Sequence, residues 1–192
     1  MLKEKLKKFN IILASGSPRR QQFFKDLNLD FTIELKNVEE IYPNELVGAE
    51  ITDFLADLKS KAFTNLSKND LLITSDTIVW LDNKALGKPK NEKEAFDMLK
   101  ALSGKSHQVI TSISIKTNKV QKIINDSTKV TFKELSNEEI EYYIKNYKPF
   151  DKAGAYGIQE WIGFIGIENI EGSYFNVVGL PVHKLYSELL KL

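Results

Sequence analysis

The stretch that most constrains the fold is residues 11–20, where a short apolar run enters a polar turn and then a helix start. Residues 11–14 predict a buried strand. Ser17 is a favourable N-cap and Pro18 a favourable first helical residue, because the N–H that proline lacks would have no helical partner there. A helix that begins here directs several backbone N–H groups and the positive end of its dipole towards one place. This arrangement suits a phosphate group.

Two adjacent arginines follow this turn, and they are the only arginines in a chain whose other basic residues are lysines. Arg19 and Arg20 fall in the first turn of the predicted helix, where a cation is unfavourable unless an anion is also bound. The planar guanidinium group is suited to bidentate contacts with oxyanions. We therefore interpret the segment as a phosphate site. Composition and spacing also allow the plainer alternative that both arginines face solvent.

The bulk composition excludes several classes of protein. The chain has 192 residues, of which 42% are hydrophobic and 28% charged, and its net charge is +1. These values predict one large globular domain or two small lobes, and argue against a general nucleic-acid coat. We interpret residues 1–192 as a single domain, in which the lysine-rich residues 1–10 form an N-terminal extension. The absence of cysteine excludes disulfides and thiolate catalysis. No segment has the length of a signal-peptide core or a membrane span, so we expect a cytoplasmic protein.

The pattern of apolar residues predicts an α/β fold. Strands and hairpins alternate with amphipathic helices, which indicates a mixed sheet flanked by helices. Capping signals mark two of the helices, at Asn91 and at the Ser136/Glu139 box, and Asp82-Asn83 is typical of a hairpin turn. Strands are predicted at residues 31–35, 71–75, 78–81, 107–115, 120–132 and 161–167, and helices at residues 18–27, 51–66, 92–102, from 137 and from 181.

Asp76 is the strongest single candidate for a catalytic group. It follows the apolar residues 71–73 and the small polar Thr74-Ser75, so it is predicted to lie at the carboxyl end of a central strand, where α/β sheets place their ligand sites. A carboxylate there can hold a metal ion or accept a proton from an attacking water molecule. A simple turn aspartate between two strands would show the same spacing.

Other candidates have weaker local signals. Glu39 and Glu40 could supply a second carboxylate, although glutamates in a polar loop are more often solvated. Lys88 is held between a glycine and a proline, Lys61 lies on the polar edge of a long predicted helix, and Gln159 follows a glycine-rich loop. The chain lacks a P-loop, a dinucleotide fingerprint and a serine nucleophile elbow. These absences argue against ATP-driven, dinucleotide-dependent and acyl-hydrolase chemistry, and they are compatible with metal-assisted attack on a phosphate.

Five short motifs stand in order along the chain: Ser15-Gly16-Ser17-Pro18-Arg19-Arg20, Ser75-Asp76-Thr77, Gly87-Lys88-Pro89, Asp151-Lys152-Ala153-Gly154-Ala155-Tyr156-Gly157-Ile158-Gln159, and Glu171-Gly172-Ser173-Tyr174 with Asn176-Val177-Val178-Gly179-Leu180-Pro181. Together they resemble the signatures of the Maf family of nucleoside triphosphate pyrophosphatases, which are related in fold to the inosine triphosphatases. The resemblance covers nearly the whole chain. It implies an elongated mixed sheet whose two lobes surround a central cleft.

The resemblance also implies an activity and its residues. It implies metal-dependent hydrolysis between the α- and β-phosphates of dTTP and UTP, with Mg²⁺ or Mn²⁺ as the cofactor. Asp76 would be the proton acceptor and, with Glu40, a metal ligand. The triphosphate-binding positions would be Ser15, Arg19, Arg20, Lys61 and Lys88. The specificity positions would be Arg19, Thr77 and Gln159. At position 159, a glutamine amide matches the N3–H and a carbonyl of thymine or uracil.

The sequence departs from the family pattern at two places. Glu160 follows Gln159 where the family usually has glycine, which bears on the shape of the loop and on base preference. Residues 37–40 read Asn-Val-Glu-Glu where the family tends to have a more acidic Asp-x-Asp-Glu run.

Two other functions stay open at this point. One is nucleotide sensing by a regulatory protein linked to septum formation and cell division. The other is hydrolysis of 7-methyl-GTP, and Gln159 and its loop argue against it. We expect a small-molecule nucleotide as the partner, with no membrane and no stable nucleic-acid binding. A homodimer formed through aromatic residues such as Trp161 or Tyr174 is an alternative to placing them in the core.

Overall fold

All 192 residues are described by the computed structural model, which is an α/β fold built on a seven-stranded mixed sheet. The strand order is β2-β1-β3-β5-β6-β7, with β4 paired to β3. β1 is parallel to both of its neighbours, whereas β4 and β7 pair antiparallel with β3 and β6. The strands are β1 (Asn10–Leu13), β2 (Thr32–Ile33), β3 (Asp70–Leu81), β4 (Lys84–Leu86), β5 (Ser106–Lys116), β6 (Gln121–Phe132) and β7 (Ile167–Glu171).

Eight α-helices and one 3₁₀ turn accompany the sheet. The helices are α1 (Leu2–Leu6), α2 (Pro18–Asp26), α3 (Ala49–Lys61), α4 (Glu92–Leu102), α5 (Asn137–Tyr147), α6 (Trp161–Gly166), α7 (Tyr174–Val178) and α8 (Val182–Leu189), and the 3₁₀ turn is Ala153–Ala155. None of these helices combines the length and the apolar composition needed to cross a bilayer.

The chain divides into two compact units, each with its own apolar core. Unit 1 comprises Met1–Asp76, Thr111–Asp126 and Gly179–Leu192, and unit 2 comprises Thr77–Ile110 and Ser127–Val178. The long strands β3, β5 and β6 each contribute residues to both units. Leu13, Phe24, Leu71 and Ile113 are fully or almost fully buried in the core of unit 1, and Leu99, Val130, Phe132 and Tyr143 in that of unit 2.

The N-terminal residues take part in the core of unit 1. Residues 1–10, predicted as an extension, contain α1, and its Leu2 and Leu6 are only 4% and 2% exposed. This helix contacts α8. The segment that carries the lysine run therefore has an amphipathic pattern, with lysines outward and two leucines inward.

Capping and turn residues in the sequence correctly predicted where three helices begin and where one hairpin turns. Ser17 caps α2 by accepting a hydrogen bond from the Arg20 N–H, and Asn91 caps α4 in the same way from Glu94. The capping box of Ser136 and Glu139 is present at α5. Asp82-Asn83 forms the predicted hairpin turn, with both residues at positive φ, as a type I′ turn requires.

Besides the strand that carries Asp76, described below, three predicted elements were wrong in type or extent. The apolar run at residues 161–167 is helix α6 for its first six residues, and the strand β7 begins only at Ile167. A short apolar run has no periodicity that distinguishes a buried helix from a strand. Helix α3 ends at Lys61, so residues 62–66 of the predicted stripe lie beyond it. The strand predicted at residues 31–35 is reduced to the two residues of β2.

Candidate active site

The turn between β1 and α2 is tightly organised around two serine side chains. Ser15 is buried, and its hydroxyl oxygen accepts a hydrogen bond from the Ser17 N–H at 3.2 Å. The Ser17 hydroxyl oxygen accepts in turn from the Arg20 N–H at 3.4 Å. Gln21 closes the turn by donating its side-chain amide to the Ser15 carbonyl at 3.2 Å. The structure therefore confirms the predicted strand–turn–helix, and Arg19 lies half-buried on its first helical turn.

Arg20 joins this turn to the strand that carries Asp76. Its Nη1 donates to the Ser75 carbonyl at 2.9 Å and its Nε to the Gly179 carbonyl at 2.8 Å. Burial lowers the pKa of Arg20 to about 10, while attraction to Asp76 and Glu40 opposes that change. The guanidinium is therefore cationic at neutral pH, and it holds the backbone next to Asp76 in place.

Asp76 lies within a strand rather than at its end. The prediction that a strand ends at Asp76-Thr77 was wrong, because β3 continues to Leu81 and pairs with β4 over residues 79–81. The neighbour on the other side, β1, ends sooner, since its last paired residue, Leu13, faces Ile73. Asp76 therefore lies beyond the end of β1, and its side chain is 9% exposed.

Lys59 is the partner of Asp76, and it is not among the site residues predicted from the sequence. Its Nζ lies 2.6 Å from Asp76 Oδ1 and 3.0 Å from Glu40 Oε1. Helix α3 is held against β3 by the Thr74 hydroxyl, which donates to the Ala56 carbonyl at 2.6 Å. The side chain of Lys59 is 19% exposed. A lysine ammonium thus lies between two carboxylates contributed by distant parts of the chain.

Lys61, the predicted phosphate ligand on this helix, lies elsewhere on α3. Its side chain is 68% exposed and pairs with Asp57 at 2.6 Å, one helical turn earlier. The residue four positions before each lysine indicates in the sequence which of the two faces the protein interior. Lys59 follows the buried Leu55 by four residues, which places it on the buried face, whereas Lys61 follows Asp57 by four and forms an ordinary surface pair.

The carboxylates of Asp76 and Glu40 fit a divalent cation. Carboxylate oxygens are preferred ligands of Mg²⁺ and Mn²⁺, and Mg²⁺ is commonly held by one or two protein carboxylates together with substrate phosphates and water. Both carboxylates lie within 3.0 Å of the same ammonium group, so they converge on one region. No group of three or more histidine, aspartate or glutamate side chains that could hold a metal ion occurs in the chain. Asp76 and Glu40 are the residues that could hold such a cation.

The remaining predicted site residues, Thr77, Lys88 and Gln159, belong to unit 2. Thr77 is half-buried on β3, and the exposed Lys88 ammonium makes no hydrogen bond or ion pair. Gly154 donates its N–H to the Gly87 carbonyl at 3.0 Å, which joins the segment before Lys88 to the 3₁₀ turn. The half-buried Gln159 amide makes no hydrogen bond within the chain, so its donor and acceptor are both available to a ligand.

Comparison with known proteins identifies the family of this chain. A family profile described as Maf-like protein matches residues 10–192. The chain belongs to the Maf family. The predicted resemblance is thus confirmed, and the match begins at the first residue of β1, so that within this Maf protein helix α1 lies outside the matched region.

Three curated relatives of this Maf protein carry the name dTTP/UTP pyrophosphatase. The protein from Flavobacterium johnsoniae is 65% identical over 100% of both chains. The one from Flavobacterium psychrophilum is 62% identical over 99% of this chain and 98% of its own. The one from Christiangramia forsetii is 58% identical over 100% of this chain and 98% of its own.

A solved structure supports the fold assignment of this Maf protein. A HAM1 protein from Coxiella burnetii superposes with a TM-score of 0.51, covering 96% of this chain and 100% of its own. The identity is 17%, so the likeness bears on the fold alone. It confirms the α/β fold class predicted from the sequence.

Proposed function

We propose that this Maf protein hydrolyses dTTP and UTP to the nucleoside monophosphate and pyrophosphate. Its curated relatives at 58–65% identity over nearly their whole length are named dTTP/UTP pyrophosphatases. The observation within the structure that carries the proposal is the buried Asp76 carboxylate, paired with Lys59 and close to Glu40. A carboxylate can accept the proton of an attacking water, and a cation can offset the negative charge that develops on the phosphate.

In the proposed reaction, Asp76 accepts the proton of the attacking water. Lys59 contacts Oδ1, so we assign Oδ2 as the proton acceptor. The water oxygen forms a bond to the α-phosphorus, and the bond from that phosphorus to the bridging oxygen breaks. The electron pair leaves with pyrophosphate, and the proton stays on Asp76 until it passes to solvent.

Positive charge must offset the charge that builds on the leaving pyrophosphate. We assign this role to Arg19, Lys88 and Lys59, with Lys59 in place of Lys61. Ser15 would add a hydroxyl donor to the phosphates, and the N-terminus of α2 the positive end of its dipole. Arg20 contributes its charge and, through the Ser75 carbonyl, positions Asp76.

Asp76 and Glu40 would hold the divalent metal, for which we propose Mg²⁺ or Mn²⁺. When bound, the metal supplies Lewis-acid neutralisation of the phosphate oxygens. For base selection we propose Thr77 and Gln159. The free Gln159 amide has a donor and an acceptor that match the N3–H and a carbonyl of uracil or thymine.

The test is pyrophosphate release by the purified protein with Mg²⁺ or Mn²⁺, measured for dTTP, UTP, CTP, 7-methyl-GTP and ITP. We expect turnover of dTTP and UTP well above that of the other three. Preferential turnover of 7-methyl-GTP would show that this protein has the 7-methyl-GTP specificity instead. Nucleotide binding without any turnover would overturn the proposal in favour of a nucleotide sensor.

A further inference from the structure

Lys59 already occupies both of the carboxylates that are assigned to the metal. Its Nζ lies 2.6 Å from Asp76 Oδ1 and 3.0 Å from Glu40 Oε1, so one ammonium group bridges the pair. The side chains of Lys59 and Asp76 are 19% and 9% exposed. Two carboxylates that face one shielded point repel each other, so a cation between them stabilises both.

Asp76 cannot keep this contact throughout the proposed reaction. Its carboxylate has two oxygens, and three partners are assigned to it: the ammonium of Lys59, the metal and the proton of the attacking water. An oxygen that binds a metal is a poor proton acceptor, because the charge of the ion lowers its basicity. Since Oδ2 is assigned to the proton, the metal is left with Oδ1, which Lys59 occupies.

The charge of Lys59 opposes a second cation at these oxygens. Like charges disfavour each other within about 4–6 Å, and the ammonium lies within 3.0 Å of both carboxylates. A lysine can move its charge, because the ammonium is carried on a flexible four-carbon stem. The role proposed for Lys59 at the leaving pyrophosphate needs the same movement, since an ammonium that neutralises two carboxylates has little charge left for a phosphate.

The loop that carries Glu40 allows this exchange. The backbone hydrogen bonds of residues 35–46 stay within that loop, and the Glu40 side chain is 47% exposed. A segment with so few bonds to its surroundings opens at low cost. The pair of Glu40 with Lys59 is therefore a contact that the protein can give up when another cation replaces the ammonium.

The other lysine that bridges two carboxylates is placed differently. In unit 2, Lys152 Nζ lies 2.7 Å from Asp151 Oδ1 and 3.0 Å from Glu160 Oε1, and the Lys152 side chain is 8% exposed. Glu160 Oε2 accepts a hydrogen bond from the Tyr143 hydroxyl. None of these side chains has an assigned role with a phosphate or a metal. The bridge of Lys59 differs because both of its carboxylates are assigned to the reaction.

We propose that Lys59 is a placeholder cation: it neutralises Asp76 and Glu40 in the nucleotide-free protein, leaves Asp76 Oδ1 when a divalent cation is bound, and then contacts the phosphates. The inference rests on the proposed function, which supplies the metal ligands and the phosphate role. It requires that Lys59 and a divalent cation compete for the same carboxylates before any nucleotide is present.

The first test measures Mn²⁺ binding to the nucleotide-free protein by isothermal titration calorimetry, with melting temperatures to show that each variant is folded. We expect Lys59→Met to bind Mn²⁺ about tenfold more tightly than the wild type, because the competing ammonium is absent. Lys61→Met is the matched control, since it removes the same charge from the same helix at an exposed side chain that pairs with Asp57. Its affinity should change less than about twofold.

The second test uses only the wild-type protein, so it does not depend on how a variant folds. Crystals of the nucleotide-free protein are compared with and without Mn²⁺, and the anomalous signal locates the ion. We expect Mn²⁺ at Asp76 and Glu40, with Lys59 Nζ more than about 4 Å from Asp76 Oδ1, beyond the limit of an ion pair. An ammonium that keeps its contact with Oδ1 beside bound Mn²⁺ would overturn the inference, because loss of charge alone would then explain tighter binding by Lys59→Met.

Equal or weaker Mn²⁺ binding by Lys59→Met than by the wild type would also overturn the inference, because Lys59 would then not compete with the ion. Binding by Lys59→Met without any binding by the wild type would support it. If neither protein binds Mn²⁺, the inference is wrong, whereas metal-dependent turnover of dTTP would still support the proposed function. Absence of turnover of dTTP and UTP in the wild type would overturn the proposed function instead.

Discussion

Lys59 in unit 1 and Lys152 in unit 2 have nearly the same partners and very different surroundings. Each ammonium contacts two carboxylates at 2.6–3.0 Å. The partners of Lys59 are separated from it by 17 and 19 residues and include the loop residue Glu40, whose side chain is 47% exposed. Those of Lys152 lie within eight residues, and one of them also binds a buried tyrosine hydroxyl.

The comparison indicates that the same kind of ion-pair cluster can either take part in a reaction or stabilise the fold. A cluster assembled from distant segments, with one partner on an exposed loop, can exchange its contacts for those of a phosphate or a metal. The ammonium of the compact cluster is the more deeply buried one, since the side chain of Lys152 is 8% exposed and that of Lys59 19%, although its partner Asp151 is 56% exposed. Removal of Glu160 would leave this lysine charge buried with less compensation. We therefore expect substitutions in the first cluster to reduce turnover, and substitutions in the second to lower stability.

The largest expected effect is at Asp76. Asp76→Asn removes the proton acceptor while keeping the side-chain volume, so kcat for dTTP should fall about 10³-fold. The measurement is pyrophosphate release at saturating dTTP. Asp57→Asn is the control, because Asp57 pairs with Lys61 on the same unit and has no role in the proposed reaction. Metal-dependent turnover that survives in Asp76→Asn would show that its assigned role is wrong.

The two lysines of α3 give the sharpest contrast. Lys59→Met should lower kcat/KM for dTTP about 10²-fold, because a cation that stabilises the leaving charge is lost. Lys61→Met should change it less than about twofold, since exposed pairs contribute little. Both variants keep helix propensity and stem length. The reverse order of effects would return the phosphate-binding role to Lys61.

Substitution of Glu40 should have a smaller effect on activity, and this effect should depend on the metal concentration. Glu40→Gln removes one of the two proposed metal ligands, so the Mn²⁺ concentration for half-maximal activity should rise about tenfold. The same titration of Glu39→Gln, the neighbouring exposed carboxylate, should match the wild type. Equal Mn²⁺ requirements in the Glu40 variant and the wild type would exclude Glu40 from the metal site.

The smallest expected effect on activity, but a measurable one on stability, is at His107 in unit 2. This buried side chain hydrogen-bonds to the Tyr156 hydroxyl at 2.7 Å, and burial lowers its pKa to about 4. Between pH 6.5 and 4 the unfolded chain therefore binds a proton that the folded chain does not, so stability falls as the pH falls. At pH 5 the free energy of unfolding should be about 2 kcal/mol lower than at pH 7 from this residue.

Denaturant unfolding at pH 7 and pH 5 tests this expectation. His107→Gln should show a shallower loss of stability than the wild type, because the amide does not titrate. His183→Gln should retain the wild-type dependence, since His183 is exposed. Identical pH dependence in all three proteins would mean that other groups govern stability in this range.

Local sequence determined the elements whose ends depend on adjacent residues. The cap at Ser17 with Pro18, the capping box of Ser136 with Glu139 and the hairpin turn at Asp82-Asn83 all form as predicted. Their physical basis is short-range, since each requires one side chain or one permissive backbone conformation next to the affected N–H group. Asp76 was predicted as a catalytic residue for a related reason, because a carboxylate after a buried apolar run is a local signal, and this role stays a prediction.

Only the tertiary structure decided which side chains of different elements contact each other. The rotation of α3 against β3 brings Lys59 rather than Lys61 to Asp76, and lysine propensity alone is the same at both positions. The apolar run that forms α6 is compatible with a strand until Gly163 packs on the Ile158 carbonyl. The partners of Glu160 come from another helix and from the preceding loop. The contacts of these side chains are thus set by packing between segments, which no single window of sequence contains.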